Sequence, residues 1–178
     1  MNTPNKLTLF RFAMIPVIVA ILCLGQFSQG WLWTACGLFI VASLTDLLDG
    51  HLARKNNQVT NFGKFMDPLA DKTLVCAVLI ALIEWDLVPA WAVILIMTRE
   101  FAISGVRLIA AERDVVLAAS LIAKIKTNVQ MAWVIAVMLH FPWSFWHPLT
   151  VVLMWASVIL TIVSFVDYLL KNKDILKD

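Results

Sequence analysis

Charge is what this sequence has least of. Only 15% of its 178 residues are Asp, Glu, Lys or Arg, whereas 61% are hydrophobic, and the mean hydropathy is +0.86. A water-soluble domain of this length has a far lower apolar share, so an integral membrane protein is expected. Cysteine is scarce too. Cys23, Cys36 and Cys76 all lie in apolar stretches, which reads as small buried hydrophobes and argues against a disulfide framework or a cysteine metal site. The three histidines, His51, His140 and His147, are scattered, so a histidine-based metal site is not expected. No low-complexity tract, long linker or internal repeat is evident, and one domain over residues 1–178 is expected. The first apolar run lacks a small-residue cleavage site and is long enough to span, so it is not read as a cleavable signal peptide. The formal net charge of +2 says little by itself; the placement of the charges says more.

Six apolar segments are expected to be helical spans, over roughly 7–25, 31–54, 67–83, 87–111, 121–141 and 149–170. The turns at 26–30, 84–89 and 140–148 contain no Lys or Arg. By the positive-inside rule they lie outside, and both termini and the loops at 55–63 and 112–120 lie in the cytoplasm. The expected fold class is therefore all-α: a polytopic bundle of six transmembrane helices in the cell's inner (cytoplasmic) membrane. Asp67-Pro68 is expected near the start of the third helix, where proline is best tolerated. Residues 142–148, with Trp143, Trp146 and His147, read as an interfacial aromatic turn. Asp167 and Tyr168 read as interfacial anchors.

Against this apolar background four acids stand out. Asp46 and Asp49 are three apart, and Asp67 and Asp71 are four apart. On helices both spacings put the two carboxylates on one face. Counting ~1.5 Å per residue, Asp46 lies ~22 Å from the start of its helix, toward one end of the span. A carboxylate in or near a bilayer is costly unless it faces a cavity, a partner or a metal. Two such pairs on helices joined by a short basic loop suggest hard cations with oxygen ligands. Gly50 and Gly63 remove side chains where backbone must approach a ligand. Arg54 offers a planar fork of donors suited to phosphate.

Asp46, Asp49, Gly50, Ala53, Arg54, Gly63, Asp67 and Asp71 together form D-x2-D-G-x2-A-R-x8-G-x3-D-x3-D. This pattern resembles the signature of the CDP-alcohol phosphotransferase family at every position. The flanking text P-N-K-L-T-L-F-R at 4–11, T-R-E-F-A-I-S-G-V-R at 98–107 and K-I-K-T at 124–127 is similar to one branch of that family, the phosphatidylglycerophosphate synthases. Beyond about Thr127 only hydropathy matches. The resemblance implies a transferase joining glycerol 3-phosphate to the phosphatidyl group of CDP-diacylglycerol, with release of CMP. It implies two Mg2+ ions (Mn2+ being the alternative) held by Asp46, Asp49, Asp67 and Asp71, with Asp71 as the base. Asn5, Thr8, Gly50, Arg54, Thr60 and Gly63 would hold the cytidine diphosphate part. Arg107, Lys124 and Lys126, with Arg99, would bind the anionic acceptor; the residue-level alternative is a set of topology signals that snorkel to headgroups. Arg99 and Glu100 sit mid-span and either line a polar cavity or make a structural ion pair with another helix. The resemblance also implies a homodimer in the lipid bilayer, and no nucleic-acid partner is expected. Rival readings are the same chemistry on another acceptor (inositol phosphate, serine or phosphatidylglycerol), a small cation transporter, and a prenyl-diphosphate transferase. The transporter leaves Arg54 and the two glycines without purpose.

Overall fold

The computed structural model describes the backbone of residues 3–25, 28–55, 61–112 and 120–172. It describes the side chains within these apart from 3–7, 46–55, 61–65, 67–68 and 111–112. Among the described residues the regular elements are all α-helices. They are α1 Thr3–Leu24, α2 Gln29–Lys55, α3 Asn61–Ile83, α4 Ala90–Glu112, α5 Leu121–Leu139 and α6 Trp146–Lys171. Each coincides with one of the six apolar segments.

The ends differ by a few residues, α1 for example starting at Thr3. α3 begins at Asn61, six residues before Asp67, so Asp67-Pro68 lies two turns inside the helix and Gly63 belongs to the helix, not to a loop. The reason is legible in hindsight: Phe62, Phe65, Met66, Leu69 and Ala70 carry the i, i+3, i+4, i+7, i+8 period of an amphipathic helix upstream of the aspartate. α4 starts at Ala90, with the Pro89 carbonyl accepting from Ala92 and Val93 N–H. α6 takes in Trp146 and His147, so the aromatic segment forms its first turn as well as the connection. Between α3 and α4, Asp86 adopts φ 53°. The Asp86 and Leu87 N–H groups return to Ile83 and Leu82 carbonyls, a paired closure that satisfies the last carbonyls of α3.

The chain forms two compact units. In the first, residues 1–88 with 137–140, α1 packs on α2 and α3, and α2 touches α3. Its core is built from residues at helical spacing: Ile18 and Leu22; Ala35, Phe39 and Ala42; Leu74, Val78 and Leu82, all buried. Side chains satisfy helix ends here. Trp85 Nε1 donates to Leu22 O at 3.0 Å. Gln29 Nε2 and Trp33 Nε1 both donate to Leu139 O, at 3.0 and 2.8 Å.

In the second unit, residues 89–136 with 141–178, α4 packs on α6. α6 is inverted relative to a water-soluble helix. It buries Ser157, Thr161, Ser164 and Tyr168 and exposes Val152, Trp155, Ile159, Ile162, Val166 and Leu170. Two of the buried hydroxyls are met by the helix itself: Thr161 Oγ1 donates to Ser157 O at 2.7 Å, and Ser164 Oγ to Thr161 O at 3.1 Å; those of Ser157 and Tyr168 have no hydrogen-bond partner among the described residues. Small polar residues inside and large apolar ones outside is the packing expected where the surroundings are as apolar as leucine. By length and composition α5 and α6 suffice to cross a membrane, and Thr8–Leu24 and Gln29–Thr45 are shorter apolar helical stretches.

Candidate active site

The aspartates belong to the first unit. α2 runs unbroken through Asp46 and Asp49, and α3 through Asp67 and Asp71, so the helical register assumed for both pairs is that of the backbone. Only five residues join the two helices, which brings the end of α2 and the start of α3 together. Depths along the two helices then match. Asp49 is six residues before Lys55 and Asp67 six after Asn61, while Asp46 is nine before and Asp71 ten after. With ~1.5 Å of rise per residue, the inner pair lies ~9 Å and the outer pair ~14–15 Å from the connection. Four aspartate positions thus lie at two matched depths along the backbones of α2 and α3. Asp71 is half-buried. The side chains of Asp46, Asp49, Gly50, Arg54, Gly63 and Asp67, and that of Asn5, lie outside the described residues, as does Thr60 altogether. Among the described residues no three acidic, histidine or cysteine side chains converge as a metal cluster.

The first unit also holds two groups on α1. Thr8 is buried. Arg11 is buried as well, with its Nε donating to Ala42 O at 3.3 Å. Ala42 precedes Asp46 by one helical turn. For Arg11, a guanidinium within an apolar helix is the signal in the sequence.

The basic residues belong to the second unit, and the structure sorts them. Lys124 and Lys126, two positions apart on α5, point ~200° apart: Lys124 is exposed and Lys126 is 2% exposed. They do not converge as expected. Instead Lys126 Nζ donates to Glu100 Oε1. The same oxygen accepts from Arg99 Nη1 at 2.9 Å. Arg99 and Glu100 therefore do pair with each other, although adjacent helix positions diverge by about 100°; both side chains are long enough to close the gap. The result is a buried cluster in which two cations share one carboxylate, joining α4 to α5. Arg99 Nε is buried without a hydrogen-bond partner. Arg107 is half-buried on α4, with its guanidinium carbon 5.8 Å from the Tyr168 ring centroid. Tyr168 is thus buried and engaged with α4, not an interfacial anchor; the neighbouring Asp167 accepts from Lys171 at 2.8 Å. The chain places Glu100 and Tyr168 where sequence spacing had no means of finding them, because both contacts cross between helices.

Comparison with known proteins extends these observations. Residues 1–163 match the family model described as CDP-alcohol phosphatidyltransferase. A Bacillus subtilis protein named CDP-diacylglycerol–glycerol-3-phosphate 3-phosphatidyltransferase is 46% identical, covering 99% of this chain and 97% of that protein. One of the same name from Rickettsia felis is 39% identical, covering 94% of this chain and 93% of its own. A Mycobacterium tuberculosis protein named probable phosphatidylglycerophosphate synthase is 38% identical, covering 94% and 79%. The match runs through all eight signature positions and nearly the whole length: the chain belongs to the CDP-alcohol phosphatidyltransferase family.

Proposed function

We propose that the chain transfers a phosphatidyl group from CDP-diacylglycerol to glycerol 3-phosphate, giving phosphatidylglycerophosphate and CMP. The observation that carries this is the near full-length similarity to a Bacillus subtilis protein named for that reaction. The chemistry of the residues supports it. A hydroxyl oxygen of glycerol 3-phosphate attacks the phosphorus bearing diacylglycerol. The bond from that phosphorus to the oxygen of CMP breaks, and CMP departs with the electron pair. The Asp71 carboxylate accepts the hydroxyl proton; as a weak base it depends on close positioning of the nucleophile. Asp46, Asp49, Asp67 and Asp71 would hold two divalent ions, Mg2+ by preference, which would supply stabilisation of the charge on the departing phosphate. Asn5, Thr8, Gly50, Arg54, Thr60 and Gly63 hold the cytidine diphosphate part, Arg54 as a fork on phosphate oxygens.

Arg107, Lys126 and Arg99 bind the acceptor's phosphate. The burial of the Arg99 and Lys126 side chains on neighbouring helices supports this, since buried cations are stabilised by anionic partners. Lys124, exposed on the other side of α5, contributes a screened outer charge. The test is which radiolabelled acceptor becomes lipid-soluble with CDP-diacylglycerol and Mg2+. Glycerol 3-phosphate is expected; incorporation of serine, inositol phosphate or phosphatidylglycerol in its place would reassign the acceptor. Excess EDTA is expected to abolish incorporation and added Mg2+ to restore it. Full activity in EDTA would remove the metals from the reading.

All six helices are proposed to cross the inner membrane, as one domain, with both termini in the cytoplasm. Helices of 19 to 27 residues, the apolar outer face of α6 and three turns free of Lys and Arg support it. A family match running through both compact units supports the single domain. A homodimer rests on family resemblance alone. A reporter fused after Asp178 is expected to be active only as a cytoplasmic fusion; activity only on the outer face would refute the six-span arrangement.

A further inference from the structure

Within the second unit three cations are buried or half-buried on α4 and α5, and they are held differently. Arg99 and Lys126 share the Glu100 carboxylate. Arg107 meets no carboxylate and no hydrogen-bond acceptor among the described residues, and its Nε is buried without a partner. What it does meet is an aromatic face, that of Tyr168 on α6, at 5.8 Å. Tyr168 is the chain's only tyrosine and is 4% exposed. Its hydroxyl is also buried without a hydrogen-bond partner, so the phenol group is not fixed by its polar end. It is the ring that has a function to serve.

We propose that Tyr168 is a positioning residue for Arg107: the ring holds the guanidinium through its π face, so that its charge stays uncommitted to any carboxylate and available to an anionic phosphate. A cation within ~6 Å of an aromatic centroid is attracted to the ring quadrupole, more strongly where water is excluded. A carboxylate in the same place would hold the guanidinium equally well but would cancel the charge that a phosphate needs. Tyr168 lies beyond residue 163, where the family match ends, and nothing in the aspartate signature points to it. The inference rests on the reading of Arg107 as a contact of the acceptor phosphate.

The experiment compares KM for glycerol 3-phosphate and for CDP-diacylglycerol in Tyr168→Leu, Tyr168→Phe, Arg107→Ala and the Tyr168→Leu/Arg107→Ala pair. Tyr168→Leu should raise the acceptor KM about 3- to 30-fold, the range of a desolvated cation–π contact, with the CDP-diacylglycerol KM within about twofold. Tyr168→Phe keeps the ring and removes a buried, unpartnered hydroxyl, so it should bind the acceptor like wild type and be at least as stable. In the Arg107→Ala background Tyr168→Leu should have no further effect, which a merely structural role for Tyr168 does not predict. Tyr168→Phe as impaired as Tyr168→Leu would put the hydroxyl on the substrate and overturn the positioning role; so would additive effects in the pair, or equal shifts in both KM values. If Arg107→Ala raises the acceptor KM and Tyr168→Leu does not, this inference alone fails. If Arg107→Ala leaves the acceptor KM unchanged, the acceptor role of Arg107 fails first and the inference with it.

Discussion

Asp71→Asn is expected to fold and insert normally and to lose turnover on the order of 10²- to 10⁴-fold, the usual contribution of a positioned general base. The substitution keeps volume and removes both the charge and the oxygen that accepts the proton. Asp71 is half-buried on an otherwise regular α3, so its replacement by an isostere should leave the thermal midpoint close to wild type. The same change also removes one of the four carboxylates proposed to hold the metal ions, and the two effects separate by titration. Loss of a ligand is recovered, at least in part, at saturating Mg2+; loss of the base is not. A variant that keeps more than about a tenth of wild-type kcat has lost less than ~1.4 kcal/mol of barrier stabilisation, and Asp71 is then not the base. A variant restored by Mg2+ makes Asp71 a ligand only.

Why this residue was legible in the sequence, and others were not, follows from what each contact spans. The aspartate pairs are local: spacings of three and four fix a shared face as soon as the segment is helical, and α2 and α3 are helical through them. The helices themselves were legible for the same reason, because long apolar runs bounded by polar turns leave few alternatives. Pro68 points to a helix start at Asp67, but the Phe62–Met66–Leu69 period continues through the proline and α3, starting at Asn61, follows it. Arg107 and Tyr168 are separated by sixty-one positions and meet only because α4 packs on α6. Glu100 and Lys126 meet across α4 and α5. No periodicity within one helix carries that information. For Lys124 and Lys126 the helical period did carry it: two positions on a helix are nearly opposite, and one is exposed while the other is buried. Grouping them by proximity in the text overlooked this.

The buried cluster supplies the largest stability effect. Glu100→Gln removes the carboxylate that Arg99 and Lys126 share, with both side chains almost fully enclosed. Removing one partner of a buried ion pair costs ~3–5 kcal/mol, because the remaining charge stays desolvated. For a chain of this length that corresponds to roughly 6–20 °C in the thermal midpoint. Glu100→Gln combined with Lys126→Met removes the repulsion between the two enclosed cations and replaces the ammonium by an apolar side chain of similar length. Its midpoint should therefore recover most of the loss. Its activity should not. If Lys126 also serves the acceptor phosphate, kcat/KM for glycerol 3-phosphate stays down by roughly 10- to 150-fold, the value of ~1.5–3 kcal/mol for one charge-assisted contact. Stability and acceptor recognition thus move apart in the double variant. Recovery of both together would mean that Lys126 serves only the fold, leaving Arg107 to carry the acceptor site. No loss of stability in Glu100→Gln would mean that water or another group already compensates the two cations, and their burial would then say nothing about the acceptor.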